Sequence, residues 1–99
     1  MTQHIIAPEA IKDLEEIIDY FALHNVAAGE KLLTRFEQKC RYLTRFPNLG
    51  RSYKQIRLYL RGLPLDGYII FYRVIDQKLE IMRVIKGNRN FEALFDDQD

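Results

Sequence analysis

The sequence has little of several features that define specialised classes of protein. Its single cysteine, Cys40, excludes an internal disulfide, which fits a reducing compartment. With three prolines and five glycines it is neither collagen-like nor of low complexity. Its longest apolar runs span only a few residues, whereas a helix that crosses a membrane needs about 20. The N-terminus has no basic start and no apolar stretch typical of a secretory signal, so we expect a cytoplasmic protein that does not enter a membrane.

The composition that remains is that of a globular protein. The chain has 99 residues, of which 47% are hydrophobic, 29% charged and 12% aromatic. This length suits one domain with one modest core, so we expect residues 1–99 to form a single domain.

Charge is unevenly distributed along the chain. The net charge is only +1, but residues 51–91 carry nine basic and three acidic residues, and residues 92–99 carry four acidic residues and no basic one. A basic segment of this kind is typical of proteins that bind a polyanion or an acidic protein surface. The alternative interpretation is that these arginines and lysines only keep a sheet soluble.

Two amphipathic helices are predicted in the first half. Pro8 suits the first turn of a helix, and an apolar stripe with spacings of three and four follows it. Asn25 can cap a second helix, which Pro47 terminates. The stripes comprise Ile11, Leu14, Ile17, Ile18, Phe21 and Ala22 on the first helix, and Ala28, Leu32, Leu33, Phe36, Cys40 and Leu43 on the second. We interpret Asp13, Glu15, Glu16 and Asp19 as a solvated helix face, and Cys40 as a core residue.

Four strands accompany the helices. A short strand over residues 3–6 precedes the first helix. The alternation of apolar and polar residues over 56–61 predicts a strand after the second helix, followed by a loop bracketed by Gly62, Pro64 and Gly67. Residues 68–74 and 79–86 are rich in β-branched and aromatic residues and predict a hairpin that turns at Asp76-Gln77.

The hairpin turn also predicts which residues pair. With two loop residues, Arg73 faces Glu80 and Arg83 faces Ile70. One face of the hairpin then holds Ile70, Tyr72, Val74, Leu79, Ile81 and Arg83, and the other holds Ile69, Phe71, Met82 and Val84. Both faces are apolar, so both must be covered. We expect the helical hairpin to cover one, and the tail with Phe91, Leu94 and Phe95, or a partner, to cover part of the other.

The residue types of common catalytic and metal sites are sparse. The two histidines, His4 and His24, have no cysteine or carboxylate at metal-ligand spacing, and no glycine-rich phosphate loop or nucleophile motif is present. We therefore predict no metal, no cofactor and no catalytic residue. The candidate functional residues are the cations of the second half: Arg57, Arg61, Arg83, Lys86 and Arg89.

Five segments, in this order, resemble one known family. They are residues 13–17 with Tyr20, residues 46–51, Ile56-Arg57, residues 68–74 and residues 81–90. With the element order β-α-α-β-β-β they are similar to the RelE/ParE superfamily of toxins from type II toxin–antitoxin systems, and to its ParE-like, plasmid-stabilisation branch.

The resemblance implies a fold, partners and two alternative targets. The expected fold is α+β, with a helical hairpin packed on a mainly antiparallel twisted sheet and a further tail helix. RelE-like members cut mRNA on the ribosome, whereas ParE-like members bind and inhibit DNA gyrase. Both kinds are neutralised by a cognate antitoxin. For this chain we expect an acidic, partly disordered, ParD-like antitoxin that forms a hetero-oligomer with it.

The residues favour the gyrase target over RNA cleavage. Cleavage needs a general base and a general acid, but no histidine lies beyond residue 24. Phe95 stands where RelE-like nucleases often have a tyrosine, and Glu80 is expected to pair with Arg73. We therefore predict a gyrase-inhibiting toxin whose five cations contact the target. The alternatives are an mRNA endonuclease and an inert homologue that still binds an antitoxin. Arg83 also has a structural alternative, as the ion-pair partner of a helix carboxylate.

Overall fold

A computed structural model describes residues 4–95 of the protein. Its elements follow the predicted order, with one additional short strand and the tail helix. They are β1 (His4–Ile6), α1 (Pro8–His24), α2 (Val26–Arg45), β2 (Arg51–Ser52), β3 (Arg61–Leu65), β4 (Tyr68–Ile75), β5 (Lys78–Lys86) and α3 (Phe91–Phe95). Gln3, which was expected to begin the first strand, lies outside the described residues. The architecture is the predicted α+β fold, with helices packed on a mainly antiparallel sheet.

The two long helices form the predicted hairpin. Pro8 occupies the first turn of α1, where its missing N–H leaves no hydrogen bond unmade. Asn25 ends α1 and begins α2, and its side-chain oxygen accepts a hydrogen bond from the Ala28 N–H at 3.1 Å. The residues of the hairpin that are buried against the sheet are Ala10, Ile17, Leu32, Phe36, Cys40 and Leu43.

Over residues 4–95 the sheet has five strands, in the order β1-β5-β4-β3-β2. β1 runs parallel to β5, and the other neighbours are antiparallel. Because β1 leads directly into α1, the start of that helix lies over β5. The longest strand, β5, therefore lies beside α1, which carries five acidic residues, against two on α2. Within residues 4–95, neither long helix is apolar enough to span a lipid bilayer.

The strand predicted over residues 56–61 is wrong. Residues 54–59 form turns, and β3 comprises Arg61–Leu65, which includes the Gly62 and Pro64 that were expected in a loop. The reason is the Asp66-Gly67 turn, whose φ angles of 48° and 89° are both positive, as a tight two-residue hairpin requires. This turn places Leu65 opposite Tyr68 and extends the pairing back to Arg61. Pro64 is tolerated because it lies beyond the end of β2, at the open edge of the sheet.

The pairing of β4 with β5 is as predicted near the turn and shifts further along. Arg73 pairs with Glu80, and their side chains form a 2.8 Å ion pair. A β-bulge between Phe71 and Tyr72 then changes the register, so that Arg83 lies opposite Phe71 and not, as predicted, opposite Ile70. Val84 moves to the helix-facing cluster, although the alternation placed it on the other face.

Two apolar clusters cover the two faces of the sheet, as expected. The helix-facing cluster includes Ile70, Tyr72, Leu79 and Ile81. The opposite cluster contains Leu60, Phe71, Met82, Ile85 and Phe95, with Tyr53, Ile56, Ile69, Phe91 and Leu94 packed against it. The tail helix therefore covers part of the second face, as predicted, and the segment between β2 and β3 covers another part.

Candidate functional site

A bidentate ion pair joins α1 to β5. Arg83 Nε donates to Asp13 Oδ2 at 2.8 Å, Arg83 Nη2 donates to Asp13 Oδ1 at 3.0 Å, and the Val84 N–H also donates to Oδ2 at 2.9 Å. The side chains are only 18% and 12% exposed. The hydrogen bond to Asp13 raises the pKa of Arg83 above its usual value. Asp13 is thus not part of a solvated face, and Arg83 has the helix carboxylate partner that its structural interpretation required.

Beside this ion pair a groove of about 280 Å³ opens between α1 and the end of β5. Arg83, Lys86 and Arg89 all line it, together with Asp13, Glu16 and other residues of α1 and β5. Lys86 and Arg89 are exposed, because β5 ends at Lys86 and a turn follows. The Arg89 N–H donates to the Lys86 carbonyl oxygen at 3.2 Å, which closes that turn. Two cations of the predicted set are therefore presented to solvent at the rim of this groove.

Two tyrosines complete the groove. Tyr20 projects from α1 and Tyr68 begins β4, and both line the cavity. The Lys86 ammonium lies 5.9 Å from the centroid of the Tyr68 ring, within cation–π range. Partial burial, and to a lesser degree the neighbouring Tyr20, raise the pKa of Tyr68. Sequence reasoning did not assign Tyr20 a role. Tyr20 follows Asp13 by seven residues, or two helical turns, so both residues lie on one helix face. This spacing is the sequence signal that could have revealed Tyr20.

Arg61 lies in a different recess, at the far end of the sheet. Its Nη1 donates to the Gly50 carbonyl at 2.7 Å and reaches the Asn48 carbonyl at 3.4 Å. The buried Tyr72 hydroxyl donates to the Pro47 carbonyl at 2.7 Å and accepts from the Gly50 N–H at 2.9 Å. Only glycine fits at position 50, since a Cβ there would lie 2.6 Å from the Tyr72 hydroxyl oxygen. Arg61 thus holds the turn over residues 46–50 in place.

The five predicted cations therefore do not form one surface. β4 separates β3 from β5, and Arg61 lies opposite Tyr72, whereas Lys86 lies opposite Tyr68. Four residues along a strand correspond to about 13 Å. Arg57 is half-buried in the segment between β2 and β3, on the same side of the sheet order as Arg61. The structure brings together Arg83, Lys86 and Arg89, and it places Arg57 and Arg61 elsewhere.

The groove contains groups of both charges and two hydroxyls. Phe95, at the position where a RelE-like nuclease often has a tyrosine, is 4% exposed and packs against Phe71 with 5.3 Å between ring centroids. Its ring lies in the cluster on the sheet face opposite α1 and α2. Among residues 4–95, no three histidine, cysteine or carboxylate side chains are grouped as a metal ion would need. The arrangement is suited to binding a charged surface, through Lys86 and Arg89 at its rim.

Comparisons with known proteins agree on one family. The family described as the ParE toxin of the type II toxin–antitoxin system, parDE, matches residues 5–91. Toxin ParE3 of Caulobacter vibrioides is 28% identical to this chain over 82 residues, which is 82% of each protein. A structure of the chromosomal ParDE TA system from P. aeruginosa superposes with a TM-score of 0.62 over 87% of this chain and 96% of that chain, at 20% identity.

Proposed function

Because this chain belongs to the ParE toxin family of type II toxin–antitoxin systems, we propose that it inhibits DNA gyrase by binding it and that a cognate antitoxin neutralises it. The choice of gyrase over mRNA rests on Phe95, whose buried ring stands where a RelE-like nuclease often has a tyrosine and has no hydroxyl to donate. The pair of exposed cations, Lys86 and Arg89, at the rim of the groove between α1 and β5 offers a contact surface for the target. We propose these two residues as target contacts.

The remaining members of the predicted set have other tasks in this proposal. Arg83 is a positioning residue, because its guanidinium is bound bidentately by Asp13 and fixes the end of β5 that carries Lys86. Arg61 stabilises the turn over residues 46–50 through backbone carbonyls. Arg57 remains a candidate contact in a separate region. An inhibitor of this kind binds through a surface and needs no reaction of its own.

The proposed antitoxin is an acidic, partly disordered, ParD-like protein. Exposed apolar side chains on this chain supply surface for such a partner, and they include Ile5, Ile11, Tyr42, Phe46, Leu58 and Tyr59. A disordered segment that folds on binding can wrap a large surface of this kind. The complex is then a hetero-oligomer of toxin and antitoxin. The proposal places this chain in the cytoplasm, together with its target and its antitoxin.

An assay of both targets tests the proposal. The purified chain should inhibit supercoiling by gyrase in proportion to its concentration and should leave mRNA on translating ribosomes intact. Adding the protein encoded beside this chain should restore supercoiling. Unchanged supercoiling at concentrations well above that of gyrase would overturn the proposed target.

One observation favours a second candidate function, cleavage of mRNA. Glu16, Tyr20 and Tyr68 line the same groove as Lys86 and Arg89, so carboxylate and hydroxyl groups lie beside cations that can hold a phosphate. Codon-specific cuts in ribosome-bound mRNA, abolished by Tyr20→Phe with Tyr68→Phe, would establish this activity in place of gyrase inhibition.

A further inference from the structure

Two aromatic residues in the last turns of α1 form a pair. Tyr20 and His24 are four residues apart, a spacing that places two side chains next to each other on a helix. Their rings are stacked, with 4.1 Å between the centroids and 17° between the ring planes. The His24 Nδ1 atom also lies 2.7 Å from the Tyr20 carbonyl oxygen. Because a carbonyl oxygen can only accept a hydrogen bond, Nδ1 carries the proton and donates it.

These contacts fix the Tyr20 ring from two neighbours. The hydrogen bond ties the His24 imidazole to its own helix, one turn back, and so restricts the ring that stacks on Tyr20. The second neighbour is Phe21, which meets the Tyr20 ring edge-to-face at 5.3 Å and 82°. Phe21 packs on the helix-facing cluster, and its Cβ lies so close to α2 that a Cβ at Gly29 would be 2.8 Å from it. The Tyr20 ring is thus connected to the core on one side and to a fixed imidazole on the other.

Tyr20 is nevertheless accessible to a partner. Its side chain is 53% exposed, and it lines the groove whose rim presents Lys86 and Arg89. Tyrosine offers a large apolar ring together with a polar hydroxyl, and it is among the residues that contribute most to binding at protein interfaces. A half-exposed tyrosine that is held in one position beside two exposed cations is therefore suited to contact a protein target.

We propose that Tyr20 is a further target contact and that His24 is its positioning residue. By stacking on Tyr20, His24 holds the ring where it meets the target, beside the two exposed cations. The proposal rests on the proposed function, since it adds a contact and its support to the same groove. A side chain that is ordered before binding loses less conformational entropy when the complex forms, so the stacked pair strengthens binding. His24 acts through Tyr20 and makes no target contact of its own.

The competing role for His24 is purely structural. A basic residue in the last turn of a helix stabilises that end through the helix dipole and through hydrogen bonds to carbonyl groups. The two roles depend on different parts of the side chain, because stacking needs the ring whereas the structural role needs the donor. His24→Phe keeps a ring and removes the donor, and His24→Asn keeps a donor and removes the ring. These two variants therefore distinguish the roles.

Growth arrest by the full chain, expressed without its antitoxin, tests the groove whatever the target is. The quantity measured is the cellular level of the chain that halves the growth rate. Tyr20→Ala should raise this level by about tenfold or more, and His24→Ala and His24→Asn by about threefold or more. His24→Phe should recover most of that loss. Leu23→Ala, at a neighbouring site that is 84% exposed, is the matched control and should change the level by less than about twofold.

A double variant and a spectroscopic signal complete the test. Once Tyr20 is alanine, His24→Ala should have no further effect, because it acts through the ring that is already absent. In the NMR spectrum of the purified chain, the shift that stacking imposes on the Tyr20 ring protons should disappear in His24→Ala and His24→Asn and return in His24→Phe. Circular dichroism verifies that each variant is folded.

Three results would overturn the proposal. They are a fully toxic Tyr20→Ala variant, a His24→Asn variant as toxic as the unaltered chain, and an effect of His24→Ala that persists without Tyr20. Supercoiling inhibition by the unaltered chain is measured separately. If gyrase is not inhibited while the Tyr20 and His24 variants still lose toxicity, the proposed target is refuted and the assignment of these two residues stands.

Discussion

Arg83 and Arg89 line the same groove but differ in what surrounds them. Arg83 is mostly buried and donates two hydrogen bonds to Asp13, whereas Arg89 lies on an exposed turn. An exposed cation keeps its charge available to a partner, and its removal rarely affects folding. Removal of a buried cation that is bound by a carboxylate destabilises the fold, because the carboxylate is left without its partner.

This difference leads to opposite predictions for two alanine variants. We expect Arg89→Ala to reduce gyrase inhibition by at least about tenfold while the free energy of unfolding changes by less than about 0.5 kcal/mol. Arg83→Ala leaves Asp13 without its partner and should lower the free energy of unfolding by about 3 kcal/mol. Thermal unfolding and supercoiling inhibition, measured side by side, provide the test. If Arg89→Ala inhibits gyrase normally, or loses inhibition only by unfolding, the proposed contact is wrong.

At the scale of elements, the turn over residues 46–50 depends on β4. The Tyr72 hydroxyl bridges the Pro47 carbonyl and the Gly50 N–H, and burial raises the pKa of this phenol above its usual value. Two side chains of the sheet, Tyr72 and Arg61, therefore join this turn to β4 and β3.

Tyr72→Phe removes the hydroxyl and little else. It leaves the buried Gly50 N–H and the part-buried Pro47 carbonyl without their partner, which should cost about 1–3 kcal/mol of unfolding free energy. The exposed Tyr59→Phe is the matched control and should cost almost nothing, since its side chain is 65% exposed. Chemical denaturation measures both values, and hydrogen exchange at the Gly50 amide should accelerate only in Tyr72→Phe. An unchanged exchange rate at that amide would show that the turn holds without the hydroxyl.

At the scale of the whole molecule, the sheet is apolar on both faces and needs two covers. The helical hairpin supplies one, and α3 with the segment between β2 and β3 supplies the other. Within the described residues α3 contributes Phe91, Leu94 and Phe95 to this second cover. Phe71 is the centre of that cluster, with Tyr53, Phe91 and Phe95 in edge-to-face contact with it.

Removing one of these rings should destabilise the whole fold. Phe95→Ala is expected to lower the free energy of unfolding by about 3 kcal/mol and to expose the second face of the sheet. The chain should then bind a hydrophobic dye and self-associate, as measured by fluorescence and light scattering. Glu92→Ala, on the exposed side of the same helix, is the control and should do neither. A Phe95→Ala variant as stable as the control would mean that α3 does not cover the sheet.

The order of five short segments in the sequence indicated the family. The sequence also predicted three local features: the helical hairpin, the Asn25 cap, and the β4–β5 turn with its Arg73–Glu80 pair. These depend on contacts between residues near in the chain, where periodicity and turn chemistry are informative. Three further features could be read only from the folded chain. Asp13 binds Arg83 across 70 residues, a bulge moves Val84 to the helix-facing cluster, and Arg61 and Lys86 lie at different ends of the sheet. An ion pair between distant residues has no local pattern, and one extra residue in a strand reverses every alternation beyond it. The position of β3 is an intermediate case. The prediction was wrong, but the Asp66-Gly67 turn that sets this position can be recognised in the sequence.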